Sequence, residues 1–174
     1  VDRDGKSPGT LPLAGKGLRE TGGVTGVFVD AKGDVFAERE HGPLVHLGNT
    51  AGTVSSDRHE LIGRPAQDGR SLLSAGLNGR YAVFVAVVDR ERGAQRFTRL
   101  LPQTEPVQYI LELDGDRNGV VYLALVVGEP GHGHVVVHCL GAEDGAPHGE
   151  VDLPLSPLAD ESFRDLAVQP SGGF

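Results

Sequence analysis

Short apolar segments alternate with polar, glycine-rich turns along most of the chain. β-Branched and aromatic residues are frequent in these segments, and no long stretch keeps the period of an amphipathic helix. This pattern predicts an all-β fold with many short strands. The predicted strands are 24–30, 35–40, 44–47, 71–77, 81–89, 95–101, 107–113, 120–127, 134–140, 151–153 and 163–168.

One unit recurs four times: an apolar segment, a polar turn that ends in glycine, and a second apolar segment. The glycines that end these turns are Gly33, Gly69, Gly119 and Gly172, which lie 36, 50 and 53 residues apart. Glycine adopts positive φ without steric cost, and hairpin turns often need such a residue. We therefore predict a turn with positive φ at each of the four.

A second unit alternates with the first and ends in Leu-Pro, at 11–12, 101–102 and 153–154. Two hairpins per repeat make four strands per repeat, which is the strand count and the approximate period of a propeller blade. The predicted organisation is a single segment, 1–174, with blade units at 13–62, 63–102 and 103–154. Partial blades are expected at 1–12 and 155–174.

The turn motif also carries a family resemblance. The segment 27–36, VFVDAKGDVF, and more loosely 110–122, resemble the strand–turn–strand of NHL-type, YWTD-type and SMP-30/gluconolactonase-like β-propellers. The resemblance implies a partial β-propeller of four-stranded antiparallel blades. A β-sandwich is the alternative, because sandwiches also turn every 8–12 residues or so.

About three blades do not close a ring, since closed propellers have roughly 4–8. We therefore expect a protein partner, a second copy of the chain or further chain to cover the open blade edges. The sequence contains no methionine, so we expect it to be a processed chain or a piece of a longer one.

Composition narrows the range of partners. The net charge is -8, and no cluster of lysine and arginine forms a basic surface, so nucleic acid is not an expected partner. No apolar run approaches the roughly 20 residues that a spanning helix needs, so membrane insertion is not expected either.

The sharpest chemical motif is DGDRNG at 114–119. Asp114, Asp116 and Asn118 match the first half of a calcium loop, in which oxygen ligands recur at every second position. The closing carboxylate is missing, because Tyr122 and Leu125 occupy the positions where it would stand. The sequence therefore leaves two interpretations open: a weak calcium site, or a turn in which Asp and Asn side chains bind their own backbone.

Other candidate groups are weaker. His132, His134 and His138 share one strand face, but the last two lie roughly 13 Å apart on an extended strand, too far to ligate one zinc ion. Cys139 points to the opposite face from His138. The polar segment SSDRHE at 55–60 has the residue types of a catalytic triad but the character of a solvated loop. No catalytic residue and no bound cofactor is predicted.

The functional expectation is a non-enzymatic scaffold that binds a protein or a glycan through its loops. One alternative is a metal-dependent hydrolase of the lactonase type, as the resemblance to the SMP-30/gluconolactonase group implies, with its site shared with further blades. Another is a structural subunit of an extracellular or envelope assembly. The resemblance also implies an extracellular or periplasmic location.

Overall fold

The computed structural model describes residues 11, 24–30, 32–39, 44–54, 60–61, 63–153 and 166–174, and the following statements concern these residues. They form strands and turns without any helix, so the predicted all-β class is confirmed. No helix long and apolar enough to cross a membrane is found among them. The chain divides into two compact units, Val1–Pro65 and Ala66–Phe174.

The strands fall into three antiparallel sheets, and in each sheet the strands follow one another in chain order. The first sheet contains β1 (Val24–Val29), β2 (Asp34–Arg39), β3 (Leu44–Asn49) and β4 (Glu60–Leu61). The second contains β5 (Arg64–Pro65), β6 (Ser71–Leu77), β7 (Ala82–Asp89) and β8 (Gln95–Pro102). The third contains β9 (Val107–Gly115), β10 (Val120–Val127), β11 (His134–Gly141) and β12 (Pro147–Leu153).

Most strand bounds lie within a residue or two of those that the sequence predicts, and β6 and β10 match them in full. The largest difference is β12, which begins at Pro147 rather than at 151 because its pairing with β11 needs backbone groups and not apolar side chains. The last predicted strand is wrong at residues 166–168, which are not in a strand; residues 163–165 lie outside the described ranges. The two-residue strands β4 and β5 are too short to show any period.

The four turn glycines have the predicted backbone conformation. Gly33, Gly69, Gly119 and Gly172 have φ values of 83°, 71°, 80° and 101°. In each turn the glycine N–H donates to the carbonyl oxygen three residues earlier, over 2.9 to 3.4 Å. The first three glycines connect the first and second strands of the three sheets, and the fourth lies close to the C-terminal end.

A second hydrogen bond recurs in all three sheets. The residue that follows the third strand donates its backbone N–H to a carbonyl of the first turn, so the two turns at this end of each sheet are joined. The bonds run from Thr50 N to Gly33 O over 2.8 Å, from Arg90 N to Arg70 O over 2.7 Å, and from Ala142 N to Gly119 O over 2.8 Å.

Within Ala66–Phe174, the second and third sheets pack face to face. Their shared core combines β7 side chains such as Val83 and Val85 with β10 side chains such as Leu123 and Leu125, all four of which are fully buried. The opposite face of the third sheet has its own cluster, to which Val168 of the C-terminal segment contributes. The first sheet has a separate small core.

Candidate functional site

The Asp116 turn connects β9 to β10 and contains the candidate calcium ligands Asp116 and Asn118, while the third, Asp114, lies at the end of β9. One oxygen of the Asp116 carboxylate, Oδ1, accepts the backbone N–H groups of Asn118 and Val120, each over 2.9 Å. The other, Oδ2, accepts the hydroxyl of Tyr122 over 3.3 Å. Asp116 is almost completely buried, and these donors compensate for the loss of water around its carboxylate.

The other two candidate ligands also make contacts within the protein. Asp114 Oδ1 accepts the N–H of Gly115 over 2.7 Å, and Asn118 Nδ2 donates to the carbonyl of Ser171 over 3.0 Å. These are contacts that Asp and Asn commonly make in turns. At position 122, where a closing carboxylate would stand, the Tyr122 hydroxyl donates to Asp116 and accepts the backbone N–H of Gly173. The calcium interpretation therefore stays a prediction, whereas the turn has visible hydrogen bonds.

The C-terminal segment 166–174 docks onto this turn. Arg117 N donates to Pro170 O over 3.1 Å, and Gly173 N donates to the Tyr122 hydroxyl over 3.0 Å. The rings of Tyr122 and Phe174 meet edge to face at 6.0 Å. Burial raises the pKa of Tyr122, and the nearby Asp116 carboxylate raises it further, although the bond from Gly173 opposes both. The sequence gives no sign of this docking, because it joins residues about fifty positions apart.

The histidines of β11 lie on the face that packs against the second sheet. His138 is almost fully buried there. Its Nδ1 lies 3.0 Å from Glu150 Oε2 on β12. Its Nε2 lies 3.1 Å from Nε2 and 3.3 Å from Oε1 of the Gln103 side chain. Burial lowers the pKa of His138, and the Glu150 carboxylate opposes that shift without cancelling it.

His134 is separated from His138, as the strand spacing predicts. Its Nε2 lies 3.6 Å from Asp152 Oδ1 and 3.9 Å from Glu105 Oε1. His132 lies in the exposed turn before β11. Across the described part of the chain, no group of three or more His, Cys, Asp or Glu side chains is arranged to hold a metal ion.

A histidine bonded to a carboxylate through Nδ1 also occurs in hydrolase triads, where Nε2 faces a nucleophile. Here Nε2 faces an amide, and the imidazole is buried between two sheets. Cys139, the adjacent residue, packs against the cluster on the opposite face of the third sheet, as the alternation of strand side chains predicts. Burial raises the pKa of its thiol, so it is held in its unreactive form. His138 and Glu150 are therefore arranged as a structural pair.

Arg96 forms a polar cluster between the two packed sheets that sequence analysis did not detect. Its guanidinium donates to Asp89 Oδ2, Ser71 Oγ and Glu143 Oε1, each over 3.1 Å. The pKa of Asp89 is lowered, first by the backbone N–H of Arg92 and then by Arg96. Because Glu143 belongs to the β11–β12 turn, this cluster ties the second sheet to the third. Ser71 and Glu143 lie 25 and 47 positions from Arg96, so no local motif indicates the cluster.

Residues 55–59 of the polar segment at 55–60 lie outside the described ranges. No protein-family model matches the chain, and no curated protein matches its sequence.

Proposed function

We propose that the three sheets are consecutive blades of a β-propeller and that the chain is a non-catalytic scaffold that binds another protein. The observation that carries this proposal is the bond between the third-strand turn and the first-turn carbonyl, which recurs in all three sheets. A blade is a four-stranded unit that repeats around a ring, so equivalent turns are expected to make equivalent bonds. The sheets also keep their strands in chain order, whereas immunoglobulin-type sandwiches use Greek-key connections.

The polar groups of the described residues support a scaffold over an enzyme. The carboxylate of Asp116, the imidazole of His138 and the guanidinium of Arg96 each make hydrogen bonds that stabilise turns or the contact between sheets. A catalytic group needs one polar atom directed at a substrate. Both carboxylate oxygens of Asp116 and both ring nitrogens of His138 already have partners within the protein.

The second sheet has an exposed apolar face opposite the core that it shares with the third, and in a propeller such a face is covered by a neighbouring blade or by a protein partner. Phe84 of β7 and Leu100 of β8 are directly opposite each other and are 37% and 52% exposed. Adjacent exposed apolar residues are typical of protein contact surfaces. An extracellular or periplasmic location, and a role within a larger assembly, belong to the same proposal.

The first test is the solution mass of the 174-residue chain by light scattering, with circular dichroism as the folding check. A folded dimer supports the propeller, because two copies supply enough blades to close a ring. A chain that aggregates also supports it, since unpaired blade edges associate. A folded, stable monomer contradicts it and favours the sandwich.

The second test separates the scaffold from the metal-dependent hydrolase. Thermal unfolding is measured with calcium, zinc or manganese, each against EDTA. The scaffold predicts no stabilisation by any of them. A rise of several degrees that Asp116→Asn abolishes would instead support a calcium site in the turn, and a rise that this variant keeps would support a site elsewhere. If the wild-type chain binds immobilised glycans, the proposed partner is a carbohydrate and not a protein.

A further inference from the structure

The described residues contain two Asn-Gly dipeptides, at 78–79 and 118–119. Such a dipeptide reacts with itself when the glycine backbone nitrogen attacks Cγ of the asparagine side chain. A C–N bond forms, the bond from Cγ to the side-chain nitrogen breaks, and that nitrogen leaves as ammonia with the glycine proton. Water then opens the resulting imide ring at either carbonyl, which gives aspartate or isoaspartate. Glycine has no Cβ to hinder the attack, and asparagine is accordingly one of the thermolabile residues.

The second dipeptide is held by hydrogen bonds at both reacting groups. Gly119 N donates to Asp116 O over 3.4 Å, so the attacking nitrogen is already bonded. Asn118 Nδ2 donates to Ser171 O over 3.0 Å, so the side chain that would be attacked is fixed as well. Both bonds must open before the ring can close.

The first dipeptide has the same backbone conformation at glycine but none of these restraints. Gly79 has a φ of 78°, against 80° at Gly119, and both asparagines are exposed. Within the described ranges, neither the side chain of Asn78 nor the N–H of Gly79 has a hydrogen-bond partner. A Cβ placed on Gly79 would have no atom within 4 Å, so the space around the reacting groups is open.

Asp-Gly dipeptides undergo the same ring closure, and those in the described part of the chain also have bonded glycine nitrogens. The bonds run from Gly69 N to Ala66 O over 3.1 Å, from Gly115 N to Asp114 Oδ1 over 2.7 Å, and from Gly145 N to Gly141 O over 2.8 Å. Among the Asn-Gly and Asp-Gly dipeptides of the described residues, Gly79 is thus the one glycine whose nitrogen is unbonded.

The turn that contains Asn78 also holds the linker between the second and third sheets. Arg80 O accepts Val107 N over 2.7 Å, and Tyr81 O accepts Gln103 N over 2.8 Å. Isoaspartate routes the main chain through the former side chain and so adds one carbon to the backbone of this turn. The added length displaces the two carbonyls from the linker nitrogens that they accept.

We propose that Asn78 is a self-modification site, where attack by Gly79 converts the side chain to aspartate or isoaspartate and the isoaspartate form weakens the hold of the turn on the linker. Asn118 is protected by its hydrogen bonds. The reaction consumes only water. The proposal rests neither on the propeller nor on a protein partner.

The first test follows the purified wild-type chain at pH 8 and 37 °C over several days, with circular dichroism as the check that it stays folded. Trypsin separates the two asparagines into the peptides 71–80 and 118–164, each of which contains a single asparagine. Mass spectrometry then measures the conversion of amide to acid in each. We expect 71–80 to react about tenfold faster or more, because two hydrogen bonds must open before Asn118 reacts.

Two controls separate the fold from the dipeptide itself. In concentrated urea the hydrogen bonds of Gly119 and Asn118 are lost, so both peptides should react at similar rates. The variant Asn78→Gln, whose longer side chain closes a ring much more slowly, should silence 71–80 and leave 118–164 unchanged. Equal rates in the folded chain, or a faster reaction at Asn118, would overturn the proposal.

The second test concerns the linker. The isoaspartate form is separated by chromatography and compared in thermal unfolding with Asn78→Asp, which carries the same charge on an ordinary backbone. We expect the isoaspartate form to unfold about 2–4 °C lower, roughly the effect of one lost hydrogen bond in a chain of this size. Equal midpoints would overturn the effect on the linker.

Discussion

The central strands of the second and third sheets have similar sequences but different surroundings. The strand β7 reads AVFVAVVD and β10 reads VVYLALVV. Leu125 on one face of β10 and Ala124 on the other are both fully buried, whereas β7 buries Val85 and leaves Phe84 37% exposed. An apolar run therefore identifies a central strand but does not say how many of its faces are covered.

The cause of the difference lies outside the two strands. The first faces of both strands pack against each other in the shared core. The second face of β10 belongs to a further cluster that includes Val168, so a segment distant in sequence completes its burial. Leu100, which neighbours Phe84 across the second sheet, is 52% exposed.

The largest expected effect separates a core leucine from an exposed one. Leu125→Ala removes a fully buried side chain from β10, and we expect it to lower the free energy of unfolding by about 2–5 kcal/mol. The matched variant Leu100→Ala, on the exposed face of the second sheet, is expected to cost less than about 1 kcal/mol. Urea unfolding measures both. Equal losses would mean that the Leu100 face is covered in solution.

A smaller effect tests the second faces of the two central strands. Ala124→Leu inserts three carbons into a filled space, and we expect a loss of about 1–3 kcal/mol from overpacking. The corresponding change in β7, Ala86→Leu, adds the same atoms where Ser74 and Thr98 are the cross-strand neighbours. It should stay within about 0.5 kcal/mol of wild type. A similar loss for both would remove the distinction between the two sheets.

The smallest effect compares equivalent turn glycines that precede β8 and β12. Gly93 and Gly145 have φ values of 64° and 69°, so alanine meets the same backbone strain at both. A Cβ added at Gly145 would lie 2.8 Å from carbon atoms of the Phe97 ring. A Cβ added at Gly93 would have no neighbouring atom within 4 Å. We expect Gly145→Ala to be less stable than Gly93→Ala by about 1 kcal/mol. Thermal unfolding of the pair measures this difference, and identical midpoints would show that Phe97 moves aside.

Part of the candidate site could be predicted from the sequence. The DGDRNG segment predicts a turn. In the structure, Asp116 Oδ1 accepts the backbone N–H groups of Asn118 and Val120, as expected for such a turn. The spacing of His134 and His138 correctly separates them. The contacts of His138 with Gln103 and of Arg96 with Glu143 join residues 35 and 47 positions apart, and no local pattern contains them.

The sequence by itself determined ten of the twelve strands of the described residues, most of their bounds and the four glycine turns, because these depend on alternation, β-branched residues and glycines that accept positive φ. It also determined that His138 and Cys139 point to opposite faces, since a strand has a period of two. Tertiary structure alone decided which central strand is buried on both faces and which polar groups meet. Burial depends on what another part of the chain brings to a surface, and a strand's own residues do not record it.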